Sequence, residues 1–173
     1  MITIRNPTYC HSRTAIAGEA MKVGMVVKLV QADAIGDPCK VMKAAAADLG
    51  DPTIVKGLVY YRPDTDEAVD YTVNPATGVL TLNTGADNTT DIPSGAMVTF
   101  WHGKPVVGFD QHSVDATHIA DVKTVREGTK VAFDGDTSLL ATYLAGQTDG
   151  REDFMGVVYQ NDGVEITVIF TEL

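Results

Sequence analysis

Gly24-Met-Val-Val-Lys-Leu29, Gly95-Ala-Met-Val-Thr-Phe100 and Gly128-Thr-Lys-Val-Ala-Phe133 share one pattern, G-x-x-V-x-φ with φ apolar. In each, a glycine turn releases the backbone into a short run whose alternate residues are apolar, as in a strand with one face on a core. A longer echo surrounds two of the copies. Ile54-Val-Lys-Gly-Leu-Val-Tyr-Tyr61 matches Asp153-Phe-Met-Gly-Val-Val-Tyr-Gln160, and Ala68-Val-Asp-Tyr-Thr-Val73 matches Gly163-Val-Glu-Ile-Thr-Val168. The chain thus reads as a β-module used twice, with the Gly95 copy lacking its later half and residues 74–125 as connection or insertion. The competing reading is that glycine turns before valine-rich strands recur in any β-protein.

Outward from these stretches, the pattern stays strand-like. Turn signals such as Gly36-Asp-Pro38, Asn74-Pro75 and His102-Gly-Lys-Pro105 separate about a dozen short strands at intervals of roughly 8–12 residues. The expected fold is all-β: a small barrel or sandwich of short antiparallel strands from two duplicated modules, with an extended N-terminal arm. Residues 1–18 form the arm and 19–173 the β-rich domain, with submodules 19–100 and 101–173. Ile2 and Ile4 alternate with polar neighbours and suit a short strand, whereas Thr8-Tyr-Cys-His-Ser-Arg-Thr14 is polar. That stretch is either a frayed terminus or an arm reaching a neighbouring subunit. Val41-Met-Lys-Ala-Ala-Ala-Ala-Asp48 is helix-prone, but is short and stopped by Gly50-Asp-Pro52, which favours a strand. Residues 110–121 read as a short helix or an irregular loop.

Composition narrows the function classes. The chain has 173 residues, 45% hydrophobic and 21% charged, enough for a full core. A net charge of −10 and the lack of any Lys/Arg cluster argue against a nucleic-acid partner. No apolar run approaches membrane-spanning length, so no membrane partner is expected, and the N-terminus lacks the apolar core of a signal peptide. Cys10 and Cys39 are the only cysteines, a usage that suits a reducing cytosol, although one bridge between them stays open.

Reaction chemistry is sparse. The densest constellation is Asp110, His112, Asp115, His118 and Asp121, whose imidazoles and carboxylates are suitable donors for a divalent metal. Its spacing follows no ligand motif, and on a helix His112 would face away from His118, so a polar surface loop is the favoured reading. Asp134-Gly-Asp136 and Asp64-Thr-Asp-Glu67 offer carboxylates for Ca²⁺ but lack the rest of its binding loop and read as turns. Cys10 and His11 are adjacent and would point apart on an extended chain. Trp101 beside His102 suits a sugar or aromatic site, or equally a strand-end core position. No catalytic residue, cofactor site or metal site is assigned, and the expectation is a protein that is not an enzyme.

The stretch Glu19-Ala-Met-Lys-Val-Gly-Met-Val-Val-Lys-Leu29, followed by Ala46-Ala-Asp-Leu-Gly-Asp-Pro-Thr-Ile-Val-Lys-Gly-Leu-Val59, resembles the capsid decoration (cement) proteins of tailed bacteriophages. The resemblance covers about residues 17–61, and the loops at 83–93 and 110–121 depart from the family pattern. It implies a virion protein, made in the host cytoplasm, that sits on the capsid exterior. Such a protein binds the major capsid protein after expansion, as a homotrimer, and bridges capsomers without catalytic residues or cofactors. The alternatives are a phage tail, baseplate or head-fibre β-domain, and a metal-dependent enzyme on a β-barrel using His112 and His118.

Overall fold

Gly24, Gly95 and Gly128 adopt φ of 90°, 87° and 83°, and each opens directly into a strand. The computed structural model describes residues 2–4, 10–30, 34–35, 37–61, 71–73, 80–82, 92–171 and 173. The turns expected at 62–67 and 74–78, the loop at 83–91 and the arm segment at 5–9 lie outside the described residues. In chain order the strands are β1 (Ile2–Ile4), β2 (Cys10–Ala17), β3 (Val26–Val30), β4 (Lys40–Lys43), β5 (Lys56–Tyr61), β6 (Tyr71–Val73) and β7 (Leu80–Leu82). They continue with β8 (Met97–Gly103), β9 (Val106–Asp110), β10 (Lys130–Phe133), β11 (Leu140–Thr142), β12 (Gly156–Asn161) and β13 (Glu165–Phe170). The fold is all-β, as expected. One α-helical turn, α1 (Ala46–Leu49), follows β4.

Strands β2-β4-β3-β5-β8 close into a barrel, β1-β9-β13-β12-β10-β11 form a six-stranded sheet, and β6-β7 pair as a separate hairpin. The barrel and the large sheet repeat one topology. When β2, β3, β4, β5 and β8 are matched to β9, β10, β11, β12 and β13, every antiparallel pairing in the barrel has its counterpart in the sheet. The parallel contact that closes the barrel, Ile16 opposite Lys40, corresponds to the parallel bridge of Val114 with Leu140 just beyond β9. Irregularities coincide too. Register slips between Val59 and Tyr61 in one unit and between Val158 and Gln160 in the other. The Gly24 N–H donates to the Val59 carbonyl at 2.9 Å, and the Gly128 N–H donates to Val158 at 2.8 Å.

This correspondence revises several details of the sequence reading. The first module starts at β2, so the polar stretch expected as an arm supplies a barrel strand. Cys10–Ile16 pair residue by residue with Gly103–Met97, and β1 adds to the edge of β9. The Gly95 turn leads into β8, the counterpart of β13, and is not a truncated third copy. The echo between 68–73 and 163–168 is local likeness only, because β6 belongs to the separate hairpin. The alanine-rich run splits into β4 and α1. Asp48 accepts the Ala45 N–H at 2.8 Å and the Lys28 ammonium at 2.7 Å, which favours a helical turn over a continued strand.

The buried apolar residues of the two modules form one continuous core. Phe100 fills the first module with Val27, Val41 and Val59; Phe109, Phe133 and Phe170 fill the second, Phe133 stacked on Phe170 at 5.7 Å. One glycine per module lets two strands approach closely. A Cβ on Gly57 would stand 2.5 Å from Phe100 Cδ2, and one on its counterpart Gly156 would stand 2.6 Å from the Ile169 carbonyl oxygen. Gly57→Ala and Gly156→Ala are each expected to destabilise the protein by about 1–3 kcal/mol through overpacking. Urea unfolding followed by tryptophan fluorescence measures the difference.

Candidate functional site

Asp115, His118 and Asp134 bring one donor atom each within 4.8 Å of one another, the one such group of three among the described residues. Two come from the sequence constellation at 110–121. The third lies on the β10–β11 turn, far along the chain, so no local pattern could have announced it. The other members stay apart from this group. Asp110 accepts the backbone N–H of exposed His112 as the cap of a 3-10 turn at Gln111–Ser113, and Asp121 caps a second one at Val122–Thr124. Asp136 is exposed and only its backbone N–H contacts Asp134, while Asp64, Asp66 and Glu67 lie outside the described residues.

Hydrogen bonds engage both oxygens of Asp115 and one oxygen of Asp134. The Thr137 hydroxyl lies 2.7 Å from Asp115 Oδ2 and 3.2 Å from Asp134 Oδ1, and Asp134 Oδ1 also accepts the N–H groups of Asp136 and Thr137. Asp115 Oδ1 accepts the Thr117 N–H at 2.7 Å. His118 Nε2 lies 3.3 Å from Asp134 Oδ2, and its Nδ1 lies 3.2 Å from Arg151 Nη1. A guanidinium only donates, so this contact uses the Nδ1 lone pair. Arg151 is itself held by Asp149 through Nε and Nη2 at 2.9 and 2.7 Å.

The cluster braces the β10–β11 turn. Asp134 organises residues 136–138 through its carboxylate and through its carbonyl, which accepts the Ser138 N–H at 2.7 Å. Ser138, with φ of 57°, then reaches the first module. Its carbonyl accepts the Val26 N–H at 2.8 Å and its hydroxyl donates to the Ala44 carbonyl at 3.1 Å.

The electrostatics agree with a structural role. Burial pushes the Asp115 carboxyl up, but hydrogen bonds from Thr137 and Thr117 and the nearby His118 outweigh it and hold it below the usual carboxylate range. The Arg151 bond lowers Asp149 in the same sense. Burial, with Glu152 beside it, pushes Asp153 up. Elsewhere, His102 is lowered by burial and by His11 and Arg13. The His11 and His102 rings lie 5.5 Å apart across β2 and β8. Trp101 precedes His102 on β8, half-buried. A cleft of about 290 Å³ opens beside His118 between Asp121, Arg126, Thr129 and Thr142.

No family model and no curated protein matches the chain. Among solved structures, the chain is similar to the head fibre gp8.5 N base of bacteriophage phi29, with 12% identity over 95% of this chain and 98% of that one and a TM-score of 0.44. At that identity and TM-score, the match does not establish a shared fold.

Two predictions follow from the brace. Asp115→Ala is expected to cost about 1–3 kcal/mol by removing the charged acceptor of the Thr137 hydroxyl and the Thr117 N–H, His118→Ala also destabilises, and His112→Ala changes stability by less than about 0.5 kcal/mol. Thermal unfolding with and without a chelator should give the same midpoint for each protein. Asp115 titrates lower when folded than when unfolded, so its stabilising contribution is complete at neutral pH. It is lost as pH falls below about 4 towards the folded value, and the acid limb of the stability curve should flatten in Asp115→Asn.

Proposed function

We propose that this chain is a non-enzymatic structural protein of a phage virion, a capsid-surface protein that binds the major capsid protein, most simply as a homotrimer, and stabilises the lattice by bridging capsomers. The observation that carries this reading is the use made of the chain's densest chemical constellation. Asp115, His118, Asp134 and Arg151 engage one another and hold the turn that joins the two modules, so their chemistry is structural.

The stretches that resemble cement proteins are likewise parts of the scaffold. Glu19 accepts the Lys43 N–H at 2.9 Å and pairs with its ammonium at 3.5 Å, locking the β2–β3 turn to the end of β4. Gly57 gives Phe100 its place in the barrel. What remains for function is surface, and several large apolar side chains stand on it, among them Leu144, Phe154, Tyr159 and Val164. A small β-protein bound at many equivalent lattice positions stabilises the lattice by mass action. Several modest contacts from one oligomer add up through effective concentration.

Mixing the purified chain with expanded and unexpanded capsids of its phage, then sedimenting the particles, tests the proposal. Saturable binding to expanded capsids, with a raised temperature of capsid disruption, is expected. Co-purification with tails instead of heads, or a stoichiometric metal lost on His118→Ala, would overturn it.

A further inference from the structure

The duplication leaves one surface used once and exposed once. On the barrel, Val26, Leu58 and Trp101 lie opposite one another across β3, β5 and β8, on the side away from the barrel interior. Val26 and Leu58 are nonetheless 0% exposed, and Ala44 beside them is also fully buried. They are covered where the β10–β11 turn of the second module seats Ser138 on the Val26 N–H and the Ala44 carbonyl. A second contact joins the modules: Leu173 and Gly103 exchange both backbone hydrogen bonds, at 2.6 and 2.7 Å.

The same row on the second module is Lys130, Val157 and Ile169 across β10, β12 and β13. The match extends to the backbone beside it. The Ala44 N–H donates to Val26 and the Tyr143 N–H donates to Lys130, both at 3.1 Å. Here the row stands open among the described residues: Lys130 is exposed, Val157 half-buried, Ile169 41% exposed, and Phe154 beside them 40% exposed. Lys130 is drawn over the rings of Tyr143 and Phe154 at 5.6 and 5.8 Å, which masks its charge within an apolar patch.

The topological counterpart of the covering turn also carries an exposed apolar side chain. Residues 134–139 connect β10 to β11, and residues 31–39 connect β3 to β4. Ile35, at the described part of that loop, is fully exposed to solvent. The internal junction is heterologous: the face of one module meets a turn of the next, and the chain carries a second outer row and, at the topologically equivalent place, a second strand connection. A heterologous contact propagates from copy to copy and closes into a ring when the rotation permits.

We propose that chains associate head to tail. The Lys130–Val157–Ile169 face of one copy takes Ile35 of a second copy, set against Ile169 and Phe154. This inference stands on the internal duplication and not on the capsid reading, and it is tested without capsids. Sedimentation velocity over a concentration series should show a reversible oligomer. Ile169→Glu and Ile35→Asp should each weaken it on the order of tenfold or more, while Val164→Glu, at the β12–β13 turn, should not. Unchanged unfolding midpoints verify that these surface variants remain folded.

Cysteine pairing then fixes the geometry. In a Cys10→Ser, Cys39→Ser background, oxidation of a mixture of Ile35→Cys and Ile169→Cys proteins should yield a cross-linked dimer that neither protein yields alone. A monomer at every concentration would overturn the proposal. So would cross-linking of the Ile169→Cys protein with itself, which marks a face-to-face pair.

Discussion

The contact of Ser138 with the first module governs how this chain uses its duplicated unit. The Val26 N–H lies at the start of β3, past the last partner that β4 offers, and it is buried. An unsatisfied buried amide costs about 1–3 kcal/mol. Ser138 supplies the carbonyl with its own φ at 57°, in the left-handed range, which a serine adopts at some cost. Asp134 accepts the N–H groups that follow it, Thr137 links Asp134 to Asp115, and His118 Nε2 lies 3.3 Å from the far oxygen of Asp134. The strained residue is held because its surroundings determine it from several sides.

This arrangement explains why two copies of one module have different surfaces. The first module buries its outer row against the second. Its β4–β5 connection carries α1, pinned by Lys28 on Asp48 and by Lys56 on the Asp51 carbonyl. The second keeps the tight β12–β13 turn where the first inserts the β6–β7 hairpin. Its β9–β10 connection carries the brace, with no counterpart in the short β2–β3 turn. Divergence is thus concentrated in connections, while register, glycine positions and even the bulge are shared. A protein that acts through surfaces can diverge in this way, since loops change what is presented and the paired strands keep it in place.

Much of the fold was legible locally. A positive-φ glycine before an alternating apolar run leaves a mark within six residues, and so the strands after Gly24, Gly95 and Gly128 and the Gly57/Gly156 pair could be read directly. Strand β2 could not. Its first residues, His11 to Thr14, are all solvent-exposed, so no alternation betrays the strand, and its partner lies far along the chain in β8. The Ala68–Val73 echo misled because short strand-turn patterns look alike whatever they pair with. The 110–121 loop held half of the brace, but Asp134, Thr137 and Arg151 arrive from two other loops, and only tertiary pairing shows that these carboxylates serve a turn.

Native-state hydrogen exchange at the Val26 amide, read by NMR beside that of Val59, tests this account most directly. Val59 donates within the first module, to the Met25 carbonyl, and reports opening of the barrel itself. If the second module seals the first through Ser138, Val26 exchanges as slowly as Val59, and Asp134→Ala speeds Val26 while leaving Val59 protected. Rapid exchange at Val26 in the unaltered protein, with Val59 still protected, would contradict the account and return the two modules to independent units.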